Sequence, residues 1–228
     1  MIFVKNGCIS KKVKIAVSGM CLFIASATVS AAAADEVSLP KPQIRQGMSV
    51  MQALEKRQTS RNFSEAPLTS AQLSHILWAA NGMNRPGSEG RTVPVAMGVH
   101  SIDVYAVTTE GIFLYQPKTH SLHCVAEGDF RMATTKGQAF VGKAPLTLVY
   151  VADAARWQNA RHVPTAEKQA VYDIAAAGAM VQSVGLVAAA EGLGTCVRGS
   201  IDHDAFRSAA RLEEGQSILL AQTIGALP

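Results

Sequence analysis

The sequence predicts a domain of mixed helices and strands, organised around one long apolar helix and several short strands. Three stretches predict it. From about 165 to 191 the chain runs without a breaker through Ala175-Ala176-Ala177-Gly178-Ala179, Met180, Val181, Leu186 and Val187, and stops at Gly192-Leu193-Gly194. A helix apolar nearly all round has to be buried. Between 102 and 125, Ile102, Val104 and Ala106 alternate with other residues, then Thr108-Thr109-Glu110-Gly111 turns the chain. Ile112, Leu114, Leu122 and Val125 continue the meander across a second turn at Pro117-Lys118-Thr119-His120. The continuous apolar run 145–151 reads as a strand of the buried kind, and 218–225 as a last strand.

In chain order, residues 1–34 stand apart from this domain. Lys5, Lys11, Lys12 and Lys14 precede an uncharged run from Ile15 that ends in Ala31-Ala32-Ala33-Ala34. That pattern predicts a secretory signal cleaved before Asp35, and hence export, to a periplasm in a bacterium. The run is also about long enough for an N-terminal membrane anchor, which is the alternative. All four charges of the segment are lysine, so 21 − 4 = 17 basic residues remain against 17 acidic. The apparent basicity disappears, and with it any compositional case for nucleic acid or an anionic membrane as partner. Some 194 residues are left, enough for one domain with a core. Cys124 and Cys196 remain in it, without CxxC or metal-ligand spacing; they read as small buried hydrophobes, and their pairing is open.

Residues 35–48, with Pro40 and Pro42, read as an N-terminal arm, and 49–228 as the domain. A short helix spans about 49–58. Pro67-Leu68-Thr69-Ser70 stops the chain and caps a second helix whose apolar face is Leu73, Ile76, Leu77 and Ala80 and which ends at Asn81-Gly82. The Gly/Pro-rich stretch 83–98 is a long loop, a length often associated with function. A polar helix is expected at about 129–138.

Several motifs are excluded. Gly192-Leu193-Gly194 follows a helix instead of a strand and lacks the third glycine of a dinucleotide fingerprint. No nucleophile elbow or phosphate-binding Walker loop occurs. His120 and His123 read as surface histidines of a hairpin, not as a metal pair, and His203 between two aspartates as loop or helix-cap chemistry. What remains is a set of separated segments. Arg57-Gln58-Thr59-Ser60-Arg61 places two guanidinium forks around hydroxyl donors, which suits a phosphate dianion, although five such residues fit a solvated basic turn equally well. The loop 91–98 can approach an aromatic ring closely, and a glycine-bracketed loop at 194–199 can present backbone N–H groups. Together the three fit a flavin site.

In that order the segments resemble the nitroreductase family of FMN-dependent flavoproteins, in particular its azoline-oxidase-like branch. The resemblance rests on Arg57-x-Thr59-x-Arg61-x-Phe63, Leu77-Trp78-Ala79-Ala80-Asn81-Gly82-Met83-Asn84-Arg85 and Arg91-Thr92-Val93-Pro94-Val95-Ala96-Met97-Gly98. It continues through Tyr105-Ala106-Val107, Gly111-Ile112-Phe113-Leu114-Tyr115, Ala144-Pro145, Gly178, Gln182, Gly192-Leu193-Gly194-Thr195 and Ile224-Gly225-Ala226-Leu227-Pro228, covering about 48–228. It implies an α+β fold with a central, mostly antiparallel sheet flanked by helices, in an intertwined homodimer with FMN at the interface. Arg57, Gln58, Thr59 and Arg61 are then expected at the phosphate and ribityl chain. Pro94, Val95, Ala96, Met97 and Gly98 of the other copy would line the flavin, and Val197, Arg198 and Gly199 would meet its N5/O4 edge through backbone N–H groups. The expected activity is hydride transfer through flavin N5, from a donor such as NAD(P)H to a nitroaromatic, quinone or dioxygen, or oxidation of an azoline-type substrate. No catalytic side chain and no metal are expected. Two positions depart from the family: Val95 stands where Ser is frequent, and the basic residue many members carry beyond the terminal Gly-x-Pro is missing after Pro228. Arg198 or Arg91 is the expected substitute for that charge near flavin N1/O2. The alternative from another class is a protein that binds flavin or another ligand without turnover.

Overall fold

A computed structural model of the chain describes residues 36–44, 47–85 and 87–228. The segment 1–34 predicted as an export signal lies outside the described residues, as do Asp35 and positions 45 and 46 of the arm. The elements are β1 (Glu36–Ser38), α1 (Val50–Lys56), α2 (Ser70–Asn81), β2 (Ile102–Val107), β3 (Gly111–Gln116), β4 (Ser121–Glu127), β5 (Leu146–Asp153), α3 (Ala166–Ala190), β6 (Leu193–Arg198), α4 (His203–Ala209) and β7 (Gln216–Ala226). The strands form one seven-stranded sheet in the order β1-β4-β3-β2-β5-β7-β6, every pair antiparallel. The fold is therefore α+β, as the sequence predicts.

Alternation along the strands divides the core into two layers. Ile102, Val104 and Ala106 of β2, with Leu146, Leu148 and Tyr150 of β5, face Leu73, Ile76 and Leu77 of α2 and Ala177, Met180 and Val184 of α3. Tyr105, Val107, Val149 and Val151 face the other way, against Phe206 of α4, Ile201 and Leu212. The sheet is thus covered on both faces, which is why β5 reads as an unbroken apolar run.

The helix starts are written locally. Ser49 and Thr69 each cap the backbone of a glutamine three residues on, Gln52 and Gln72, whose side chain returns to the cap; both are complete capping boxes. Asp202 caps α4 by accepting from the Ala205 N–H at 3.0 Å, which accounts for the acidic flanks of His203.

Four expectations change. The arm contributes a strand, β1, paired with β4. No α-helix forms at 129–138, where short 3-10 turns at Arg131–Thr134 and Ala139–Gly142 stand instead. There the Thr134 hydroxyl donates to the Arg131 carbonyl at 2.7 Å and the Gln138 N–H donates to the Thr135 hydroxyl at 3.3 Å, so side chains compete for the backbone bonds a helix would need. His120 is not a surface histidine: its Nε2 lies 2.8 Å from Ser74 Oγ and 3.1 Å from the Pro40 carbonyl, and its Nδ1 lies 2.8 Å from Tyr115 Oη. It ties the arm to α2 and to the β3–β4 hairpin. Finally, α3 buries one face within the chain, while Val171 and Ile174 on the other face are 61% and 44% exposed.

Among the described residues, Cys124 and Cys196 are free thiols. They sit on β4 and β6, five strand spacings apart in the sheet order, or about 24 Å at the usual interstrand distance. That is far beyond the reach of a disulfide within one chain.

Candidate functional site

The stretch predicted as a glycine-bracketed loop at 194–199 is largely strand. Leu193–Arg198 forms β6, the last strand of the sheet, paired with β7 from Leu193↔Ala226 to Arg198↔Ala221. The sequence carried a clue to this, since Leu193, Thr195 and Val197 recur at period two and two of them are β-branched.

On its outer edge β6 meets the arginine cluster. Thr59 pairs with Thr195 in parallel, and the Ser60 N–H donates to the Thr195 carbonyl at 2.8 Å. Gly194 permits this approach, because a Cβ there would stand 2.9 Å from Ser60 Cβ and 2.6 Å from Leu227 Cδ2. Two of the three predicted segments are thereby brought together. The backbone of a strand points its N–H and C=O to alternate sides at successive residues, so Val197 presents both to the same outer edge as Thr195.

Alternation also sorts the arginine cluster itself. Gln58 and Ser60 line a cleft of about 380 Å³ with Gly192, Leu193 and Leu227, and Arg57, Thr59 and Arg61 do not. Gln58 is therefore separated from the other three residues predicted with it. Arg57 is half-buried, its stem lying over Gly185 of α3; Thr59 and Arg61 are exposed. Among the described residues, the side chains of Arg57, Thr59 and Arg61 make no hydrogen bond and no ion pair. Two guanidinium forks and one hydroxyl are left free, which is the donor set a phosphate takes.

The third segment, Pro94 to Gly98, is not joined to the other two by any hydrogen bond, ion pair or ring contact among the described residues. Pro94, Met97 and Gly98 are exposed, Val95 and Ala96 half-buried. Met97 and Gly98 both take positive φ, 56° and 73°. For methionine that conformation is costly and calls for a local reason.

Arg198 does not direct its charge outward. It is 4% exposed, and its guanidinium donates to Thr223 Oγ1 at 3.1 Å, the Thr134 carbonyl at 2.8 Å and Thr134 Oγ1 at 3.3 Å. Burial pushes its pKa down to about 10. The expected role of Arg198 as a charge near flavin N1/O2 does not hold for its side chain, which instead braces β6 against β7 and the 131–142 turns. Arg91 lies elsewhere, beside Asp103, Arg156 and Lys118. Val197 is 40% exposed and Gly199 exposed at the end of the strand. Thr134, Gln138 and Thr223, which hold Arg198, carry no sequence pattern that would single them out. Among the described residues no group of His, Cys, Asp and Glu could hold a metal ion.

Comparison with known proteins bears on the family and the fold. The family model described as the nitroreductase family matches residues 54–226. A protein of Methanocaldococcus jannaschii named as a nitroreductase is 29% identical over 196 residues, covering 82% of this chain and 96% of its own. A crystal structure of a protein from Ralstonia eutropha JMP134, also named as a nitroreductase, superposes with a TM-score of 0.78 at 38% identity, over 85% of this chain and 90% of that one. A more distant one, from Desulfovibrio desulfuricans and in complex with FMN, has a TM-score of 0.57 at 20% identity, over 80% and 88% of the two chains. Because that family model spans residues 54–226, most of the sequence, the chain belongs to the nitroreductase family.

Proposed function

We propose that the protein is an exported, FMN-dependent oxidoreductase that works as a homodimer. The observation that carries the reading is the set of unpartnered donors of Arg57, Thr59 and Arg61 beside the open edge of β6. Two arginine forks and a hydroxyl stand within five residues here without a counter-group, and the phosphate of FMN is a dianion of matching charge. Arg57 and Arg61 would neutralise and orient that phosphate, while Thr59 donates to it or to the ribityl chain. The outward N–H of Val197 would donate to the ring edge and fix its angle to the sheet. The relation to a structure with bound FMN supports the cofactor.

When bound, FMN supplies a ring that accepts a hydride from a donor such as NAD(P)H and returns the electrons to a nitroaromatic, quinone or dioxygen, or takes a hydride from an azoline-type substrate. The chain's own part is to hold, orient and shield. No titratable side chain projects from Val197 to Gly199 to act as acid or base. The homodimer rests on the uncovered face of α3: Val171, Ile174, Ala175, Gly178 and Gln182 are exposed at helical spacing, which matches a helix packed on its symmetry mate. The second copy would bring its Pro94–Gly98 segment to the flavin of the first. Monomeric mass in light scattering would contradict this arrangement.

The direct test is the double variant Arg57→Ala/Arg61→Ala. It should lose FMN binding by at least about a hundredfold and keep its circular dichroism spectrum, since neither guanidinium is hydrogen-bonded or ion-paired within the described residues. Full retention of FMN would remove the phosphate assignment. Val95, which lacks the hydroxyl frequent at this place, favours a second reading: flavin held without turnover. Bound flavin that no donor reduces would select it.

A further inference from the structure

A groove of about 600 Å³ lies over β1, β4, β3 and β2, on the face of the sheet that carries α4 and away from α3. Arg91, Arg156 and Lys118 line it together with Asp103 and Glu36. The acids here are already engaged. Both oxygens of Asp103 accept from Arg156 Nη2, at 2.7 and 2.6 Å, and Asp153 pairs with Arg156 Nε at 3.3 Å. Glu89 pairs with Lys118 at 3.0 Å, and Glu36 accepts from Thr119 at 2.9 Å and from Ser121.

Arg91 is the exception. Its Nε is buried without a partner, and its guanidinium makes no hydrogen bond or ion pair among the described residues. Nearby His100 also has a buried, unpartnered Nδ1, and burial, with the charge of Arg91 second, disfavours its protonation. Asn81 Oδ1 is the one other buried side-chain atom without a partner among the described residues, so two of the three gather at this place. An arginine stays charged under all ordinary conditions, and a buried donor without an acceptor is costly. An acceptor from outside the chain would satisfy this donor.

We propose that this groove binds a small oxyanion, a carboxylate or a phosphate, on the free fork of Arg91, with Arg156 as the flanking charge. The anion is either a free ion or the anionic group of a larger molecule. The site is separate from the arginine cluster at 57–61 and does not depend on flavin.

The test follows the arginine Nε–H resonances of nitrogen-15-labelled protein during titration with inorganic phosphate and, separately, with acetate. Phosphate also reaches Arg57 and Arg61, so the Arg91 resonance is identified by its loss in Arg91→Lys and Arg91→Gln. That resonance should move saturably with at least one of the two anions. The affinity read from shifts of neighbouring backbone amides should fall at least about tenfold in Arg91→Gln and less in Arg91→Lys, which keeps charge but loses the fork. Lys118→Gln, exposed and already paired, should change it less than about threefold. Adenosine monophosphate distinguishes the sources: tighter binding than phosphate indicates a larger phosphate-bearing ligand, equal binding a free ion. An Arg91 resonance that stays still in the wild-type protein, or unchanged affinity in Arg91→Gln, overturns the proposal.

Discussion

Replacing Gly194 by alanine tests how the arginine cluster is held. The new Cβ would lie 2.9 Å from Ser60 Cβ and 2.6 Å from Leu227 Cδ2, where ordinary carbon contacts need about 3.5–4.0 Å. Leu227 ends in a flexible side chain and can rotate. Ser60 is anchored close to the backbone, so the 57–61 segment has to retreat by roughly 0.6–1.1 Å. That stretches the 2.8 Å bond from the Ser60 N–H to the Thr195 carbonyl past useful length. A lost backbone bond costs about 1 kcal/mol and local overpacking about 1–2 kcal/mol, so we expect a destabilisation of about 2–3 kcal/mol. Urea unfolding followed by circular dichroism reads this directly, and the midpoint should fall with an unchanged slope. The same retreat moves Arg57, Thr59 and Arg61 relative to Val197, so FMN should bind at least about tenfold more weakly. A stability change under about 0.5 kcal/mol with unaltered FMN affinity would refute the close-packed edge.

Two further outcomes follow from buried polar groups. Burial holds His120 below its ordinary 6.5, and the groups facing it are Tyr115 Oη, Ser74 Oγ, the Pro40 carbonyl and the more distant His75. Because the unfolded chain takes the proton first, this contribution is complete above 6.5 and is lost as pH falls through the folded value. The melting temperature should therefore drop as pH is lowered below 6.5, and a His120→Gln variant should lose part of that slope; an identical slope in the variant would remove His120 as its source. Arg198→Met should destabilise by about 2–4 kcal/mol, because it leaves the Thr134 carbonyl buried without its Arg198 donor and the Thr223 hydroxyl with only its contact to Thr147. A loss under about 1 kcal/mol in chemical denaturation would mean that the methionine packing replaces the hydrogen bonds.

What could be read from the sequence was what is encoded locally. Helix α2 was legible because Thr69 and Gln72 form its capping box and Gly82 ends it. The meander was legible because two turns punctuate alternating apolar residues, and β5 because both faces of the sheet are covered. Strand β6 was harder: it follows α3 through a single turn at Gly192, so its short period-two pattern looks like the tail of a helix stop. The 131–142 turns depend on Arg131, which reaches back to Asp129 at 2.6 Å and across to the Ala144 carbonyl at 2.8 Å, and no window of propensity contains that bond. For the site, the residue types at 57–61 announced an anion, but which of them share a side follows only from the Thr59–Thr195 pairing. Arg198 shows the limit most clearly. An arginine near a glycine reads as an outward charge, and its burial is decided by Thr134, 64 residues away.

The central claim is that the open edge of β6 and the arginine cluster hold FMN, and the visible absorption spectrum of the protein spanning 35–228 tests it most directly. Recorded before and after addition of FMN and removal of the excess, the spectrum should show bound flavin, and phosphate-bearing flavin should be released on denaturation. A folded protein that stays colourless after reconstitution would mean that the nitroreductase fold is retained here without its cofactor.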